Sequence, residues 1–203
     1  MSYVYVLTNE AMPGYIKIGI TERTINDRIL ELDTTSVPLP FQCYYAARVS
    51  DHKKVERALH TAFGDSRVRK SREFFTVDPF RVKAILEVIA EEDVTPRQDV
   101  VGDVEDTKAL EKAISHKRRF QFSSAGVNIG AVLKFVKDET ITCTVDTDTS
   151  VIYEGVSMSL SGAGLKAVHR LGYNWATVNG SEYWLSNGET LNSLRAIREG
   201  ESE

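Results

Sequence analysis

Six side chains in the first sixty residues have the chemistry to handle a phosphate ester: Tyr5, Lys17, Arg23, Arg28, Glu56 and His60. A carboxylate holds a hard divalent cation, guanidinium and ammonium groups neutralise charge on phosphate oxygens, and a phenol or a neutral amine takes a proton from water. Glu56 and His60, at i and i+4, share one face of a helix. Tyr5 and Lys17 fall in two alternating runs, Tyr3-Val4-Tyr5-Val6-Leu7 and Tyr15-Ile16-Lys17-Ile18-Gly19. Pairing of those runs puts both residues on one sheet face near its middle. Lys17 is the anomaly, because an apolar residue would pack at mid-strand at lower cost. The same residues also suit structural roles: Tyr5 as a core aromatic, Arg28 and Glu56 as a surface pair, His60 as a satisfied core histidine.

The elements that must position these groups follow from periodicity and punctuation. Alternation predicts strands over 3–8 and 15–20, and further strands over 41–49 and 73–77. Helices are expected over 24–33, 51–64 and 79–92, with Asp51 as N-cap of the second, whose Val55, Ala58, Leu59, Ala62 and Phe63 keep helical spacing. Segment 93–108, DVTPRQDVVGDVEDTK, is acidic, broken by Pro96 and Gly102, and reads as a linker between a domain over 1–92 and a second over 109–203. Beyond it, a helix starting near Asp106 is followed by strands over 130–136, 140–146 and 151–157. A helix capped by Ser159 or Ser161 and stopped by Gly172 comes next, then a strand near 176–186 and a terminal helix. The fold class is α/β in content, more strictly α+β: a small antiparallel sheet flanked by helices, then a smaller α+β domain.

Composition narrows the partners. The 203 residues carry a net charge of −4, which argues against coating nucleic acid through bulk charge. The acidity is concentrated, since residues 91–110 hold 7 Asp+Glu against 2 Lys+Arg while residues 1–90 hold 11 against 13. Cys43 and Cys143 have neither the spacing of a zinc site nor that of a disulfide framework. No run of 18 apolar residues and no basic-then-apolar leader is present, so the expectation is a reduced, cytoplasmic protein without a membrane span.

The opening hairpin resembles that of the GIY-YIG nuclease superfamily, with Tyr3-Val4-Tyr5 in the place of the first triplet, Thr8-Asn9 after it, and Lys17-Ile18-Gly19 in the place of the second. It is most similar to a phage and bacterial branch with KIG. Thr21, Arg23 and Arg28 match that branch's T-x-R-x4-R, Glu56 and His60 its E-x3-H helix, and Arg72-Glu73-Phe74-Phe75 its R-E-F-F. Over residues 1–90 the resemblance implies a DNA endonuclease using one Mg2+ or Mn2+ per domain. Tyr5 would stand at the attacking water, Arg28 at the phosphate and Glu56 on the metal, with Lys17, Arg23 and His60 as further site residues. Tyr3 replaces the first glycine and Lys17 the second tyrosine, while Arg69, Arg72 and Glu73 occupy the region of the usual asparagine. Tyr3, Arg72 and Glu73 are therefore marginal members of the set.

Residues 120–195 resemble small domains attached to restriction enzymes and adenine methylases, through an SLS-x-A helix and an NG-x-x-Y-W strand. That implies DNA contact without catalysis, with Lys117, Arg118, Arg119, Asn179 and Trp184 as the candidate contacts. The expected activity is nicking, or a double-strand cut by a homodimer. The alternative is a nucleic-acid-binding or regulatory protein that keeps the nuclease fold with weak or no turnover.

Overall fold

The computed structural model describes residues 2–116 and 119–200, and the chain divides into two compact units, Met1–Ala113 and Ile114–Glu203. The first unit runs β1 (Tyr3–Thr8), β2 (Ile16–Thr21), α1 (Ile25–Leu32), β3 (Gln42–Arg48), α2 (His52–Ala62), β4 (Phe74–Phe75), α3 (Pro79–Ile89) and β5 (Glu92–Asp93). Its antiparallel sheet has the order β4-β2-β1-β3-β5, so the opening strand is central. A central strand covered on both faces must be apolar throughout, and Val4, Tyr5, Val6 and Leu7 are all buried. Asn9 closes the β1–β2 connection: its Oδ1 accepts from Ala11 N at 2.8 Å and its Nδ2 donates to Leu39 O at 2.6 Å. The asparagine after the first triplet is thus a buried loop clasp.

Segment 93–108 departs from the linker expectation at both ends. β5 pairs with β3, and the buried Thr95 accepts from Ala46 N at 3.1 Å through Oγ1. Helix α4 (Val104–His116) already begins at Val104, with Asp103 Oδ1 accepting from Glu105 N and Asp106 N at 2.7 and 3.0 Å. Part of the acidity therefore caps the start of a helix, and the division between the units falls inside α4 rather than before it.

The second unit contains β6 (Val132–Phe135), β7 (Asp138–Thr147), β8 (Ser150–Tyr153), β9 (Val156–Met158), α5 (Leu160–Arg170), α6 (Gly180–Tyr183), β10 (Trp184–Ser186), β11 (Glu189–Thr190) and α7 (Leu191–Gly200). Its sheet has the order β11-β10-β6-β7-β8-β9. Two expected strands are cut short by turn residues. Glu154 and Gly155, at φ 50° and 77°, fold the expected 151–157 strand into the β8–β9 hairpin. Asn179-Gly180 start the short α6, so of the expected 176–186 strand only Trp184–Ser186 pairs. Gly180 is required because a Cβ there would lie 2.7 Å from the backbone of Leu160 and Ser161, at the start of α5.

Candidate active site

Register between β1 and β2 pairs Tyr5 with Gly19 and Leu7 with Lys17, which sends these four residues to one face of the sheet. The Tyr5 ring lies directly over Gly19. A Cβ at that position would be 2.6 Å from the Tyr5 hydroxyl, so the glycine of the second triplet makes room for the tyrosine of the first. Lys17, at 7 % exposure, is the neighbour on the same face. β4 pairs along the other side of β2, with Lys17 opposite Phe74 and Ile18 N donating to Glu73 O at 3.1 Å. This fixes the Glu73 side chain beside Lys17, whose Nζ donates to Glu73 Oε2 and stands 5.6 Å from the centre of the Phe74 ring.

Helix α1 brings in Arg28. Thr24 caps the helix by accepting from Asp27 N at 3.1 Å, and one turn on, Arg28 Nε donates to the Tyr5 hydroxyl oxygen at 3.1 Å. Burial pushes the Tyr5 phenol above its ordinary value, and the bond from Arg28 and its positive charge pull against that shift. Arg28 also donates to Glu31 at 3.2 Å, and Arg23 pairs with the same carboxylate. Arg23 is exposed and reaches the cluster only through Glu31, an acceptor the sequence reading missed. Its signal was the i, i+3 spacing from Arg28.

Helix α2 supplies Glu56 and His60, and is capped by Asp51, which accepts from Lys54 N at 2.9 Å. His60 Nε2 lies 3.2 Å from Ile18 O, and a carbonyl can only accept, so Nε2 carries the proton and the imidazole is tied to β2. Its ring packs on Phe75 at 5.0 Å. The carboxylate of Glu56 is half-buried and makes no hydrogen bond or ion pair among the described residues. Burial raises it above the usual carboxylate range; the charges of His60, His52 and Lys17 lower it and that of Glu73 raises it further.

Tyr5, Lys17, Arg28, Glu56, His60 and Glu73 therefore form one mixed-charge cluster, and Arg28 pairs with Glu31 instead of Glu56 as a surface pair would. Tyr3 packs partly buried against the core around Tyr5 and Leu7. Arg72 lies in an exposed turn just outside the cluster. In the second unit, Arg119 is exposed, and Lys117 and Arg118 lie outside the described residues. Trp184 corrects the expectation of a DNA-stacking residue: it is fully buried, donates from Nε1 to Leu160 O at 3.2 Å and packs edge-on against Phe135 at 5.0 Å. Asn179 is half-buried and engaged with Glu182 and Ser181, so its amide is spent inside the fold.

No group of three or more His, Cys, Asp or Glu side chains among the described residues forms a metal cage. The donor chemistry of Glu56 nevertheless fits a hard cation that keeps most of its waters and needs one or two carboxylates, as Mg2+ does. It does not fit zinc, which takes three or four nitrogen, sulfur or carboxylate ligands from the protein.

No curated protein matches the chain. Residues 2–90, the stretch that builds this sheet and the helices carrying Arg28, Glu56 and His60, match the family model of the T5orf172 domain, a domain found in phage and bacterial nuclease-like proteins.

Proposed function

We propose that the protein is a metal-dependent DNA endonuclease of the GIY-YIG type. The observation that carries this reading is the half-buried Glu56 carboxylate: it is left without a hydrogen-bond partner, and burial raises its pKa, beside a lysine, an arginine-held phenol and a histidine. A half-buried carboxylate has lost part of its hydration, and a bound cation offsets that loss. Mg2+ or Mn2+ held through Glu56 would polarise the phosphate as a Lewis acid. Arg28 and the ammonium of Lys17 neutralise charge on the non-bridging oxygens as the P–O bond to the 3′-oxygen breaks, leaving a 5′-phosphate. Tyr5, oriented by Arg28, takes the proton of the attacking water when ionised to phenolate, and the departing 3′-oxygen takes a proton from solvent. Because its phenol is raised by burial, the rate rises with pH above neutrality.

One observation favours the second reading, a binding protein with lost turnover. The amine of Lys17 is committed to Glu73 and the Tyr5 ring is buried, so neither is a free base. Incubation with single-stranded, duplex and branched DNA in Mn2+ and in EDTA, with mapping of the ends, decides between them. Metal-dependent products with 5′-phosphates support the hydrolase. Binding without cleavage on every substrate supports the second reading.

A further inference from the structure

The chain between α2 and β4 folds into a short ribbon that projects the most concentrated positive charge in the first unit. Thr76 N donates to Ser66 O at 2.8 Å, Val68 N to Phe74 O at 3.0 Å, and Arg67 bridges to Phe75. At the tip, Arg72 N donates to Arg69 O at 2.9 Å, which closes a β-turn over Arg69, Lys70, Ser71 and Arg72. Arg67 Nε fastens that turn from inside by donating to Arg72 O at 2.7 Å, and its guanidinium lies 5.6 Å from the centre of the Phe75 ring. The ribbon is therefore a built element with its own bonds rather than a slack connection.

Arg69, Lys70 and Arg72 are all exposed, and none forms an ion pair among the described residues. Several other cations of this unit are matched, Arg48 with Glu91 and Glu92, Lys83 with Glu87, Arg23 and Arg28 with Glu31, whereas these three stand together in one turn. The carboxylates that follow the turn are already engaged, Glu73 by Lys17 and Asp78 by Phe80 N at 2.8 Å as the cap of α3. Three like charges in one four-residue turn repel each other, and they gain most from an external polyanion that releases its counterions on binding.

We infer that this turn is a contact for the DNA backbone, holding phosphates next to the one at the reactive cluster. The inference rests on the proposed reading of that cluster and extends it, making a polymer the substrate rather than an isolated phosphodiester. The placement supplies the connection, since Arg72 is followed directly by Glu73, the partner of Lys17. Lys70 is three residues from Glu73, a reach of at most about 10 Å of extended chain, or roughly three nucleotides at about 3.4 Å of rise per strand.

The test is the salt dependence of duplex DNA binding by the full chain in EDTA, where no cleavage is needed. Arg69→Gln/Lys70→Gln, made together, should reduce the log–log salt slope by about 2 and weaken binding on the order of tenfold at moderate salt. Arg69→Lys, which keeps the charge, should leave the slope as in wild type, and Lys70→Gln alone should reduce it by about 1 if the double variant fails to fold. An unchanged slope and affinity in folded Gln variants, or a wild type that does not bind duplex DNA, overturns the inference. The two proposals fail separately. A wild type that binds with this slope but cleaves nothing in Mn2+ removes the hydrolase reading alone, and one that cleaves while its binding ignores the turn removes this one alone.

Discussion

The side chain of Lys17 lies buried beside the Phe74 ring and is held in an ion pair with Glu73. In the proposed mechanism Lys17 therefore serves as a fixed positive charge, where the sequence alone left it as a candidate base. Lys17→Met should lower kcat by on the order of 10²-fold or more, as expected when charge on a developing oxyanion goes unmet. Lys17→Arg, which keeps the charge but accepts no proton at accessible pH, should retain clearly more activity than Lys17→Met. Equal loss in both, measured under single-turnover conditions, would return Lys17 to the role of base. Glu56 gives a stability signature. A carboxyl whose pKa is raised on folding stabilises the folded state below its unfolded value, and that contribution is lost as pH rises through the folded value. Glu56→Gln should accordingly melt at a higher temperature than wild type at neutral pH, and the gap should close as pH falls below the unfolded glutamate value of about 4.3, where the carboxyl is protonated in both states. Adding Mn2+ should raise the melting temperature of wild type and leave the variant unmoved.

At the scale of elements, the site depends on three short segments held by caps and ladders. α2 is started by the Asp51 side chain, so Asp51→Ala should cost about 1 kcal/mol in denaturant unfolding and reduce activity by loosening Glu56 and His60 together. Loss of stability with full turnover would show that the helix start does not position them. Much of this architecture was legible in the sequence. β1 and β2 are short runs rich in aromatic and β-branched residues, and α2 has helical spacing and a capping side chain, so propensity and tertiary packing agree there. Gly19 and Lys17 were visible as motif members, but the reasons for them were not, because the contact of Tyr5 with Gly19 and the bond from Lys17 to Glu73 are products of register. The second links residues 56 positions apart through a two-residue strand, too short for any periodic signal. The errors have a similar origin. Glu154-Gly155 and Asn179-Gly180 interrupt apolar runs with turn chemistry that a pattern of alternation absorbs, and Trp184 in a polar-flanked motif looked exposed until its neighbours, Phe135 and Leu160, were known.

For the whole molecule, the proposed site has one Glu56 per chain and so one proposed centre, while the second unit offers Arg119 as its described candidate contact to DNA. Among the described residues no helix is long and apolar enough to cross a membrane. One centre per chain predicts that supercoiled plasmid passes through nicked circles before linear DNA appears, and that linear product grows with protein concentration if two copies meet on the duplex. Direct conversion to linear DNA at the lowest concentration would instead require a preformed homodimer. The measurement that bears most directly on the central claim is metal-dependent cleavage by wild type and Glu56→Gln side by side, on the same DNA in Mn2+ and in EDTA. The account predicts products from wild type in Mn2+ only, and none from a folded, DNA-binding Glu56→Gln. Cleavage by that variant at the wild-type rate would contradict it.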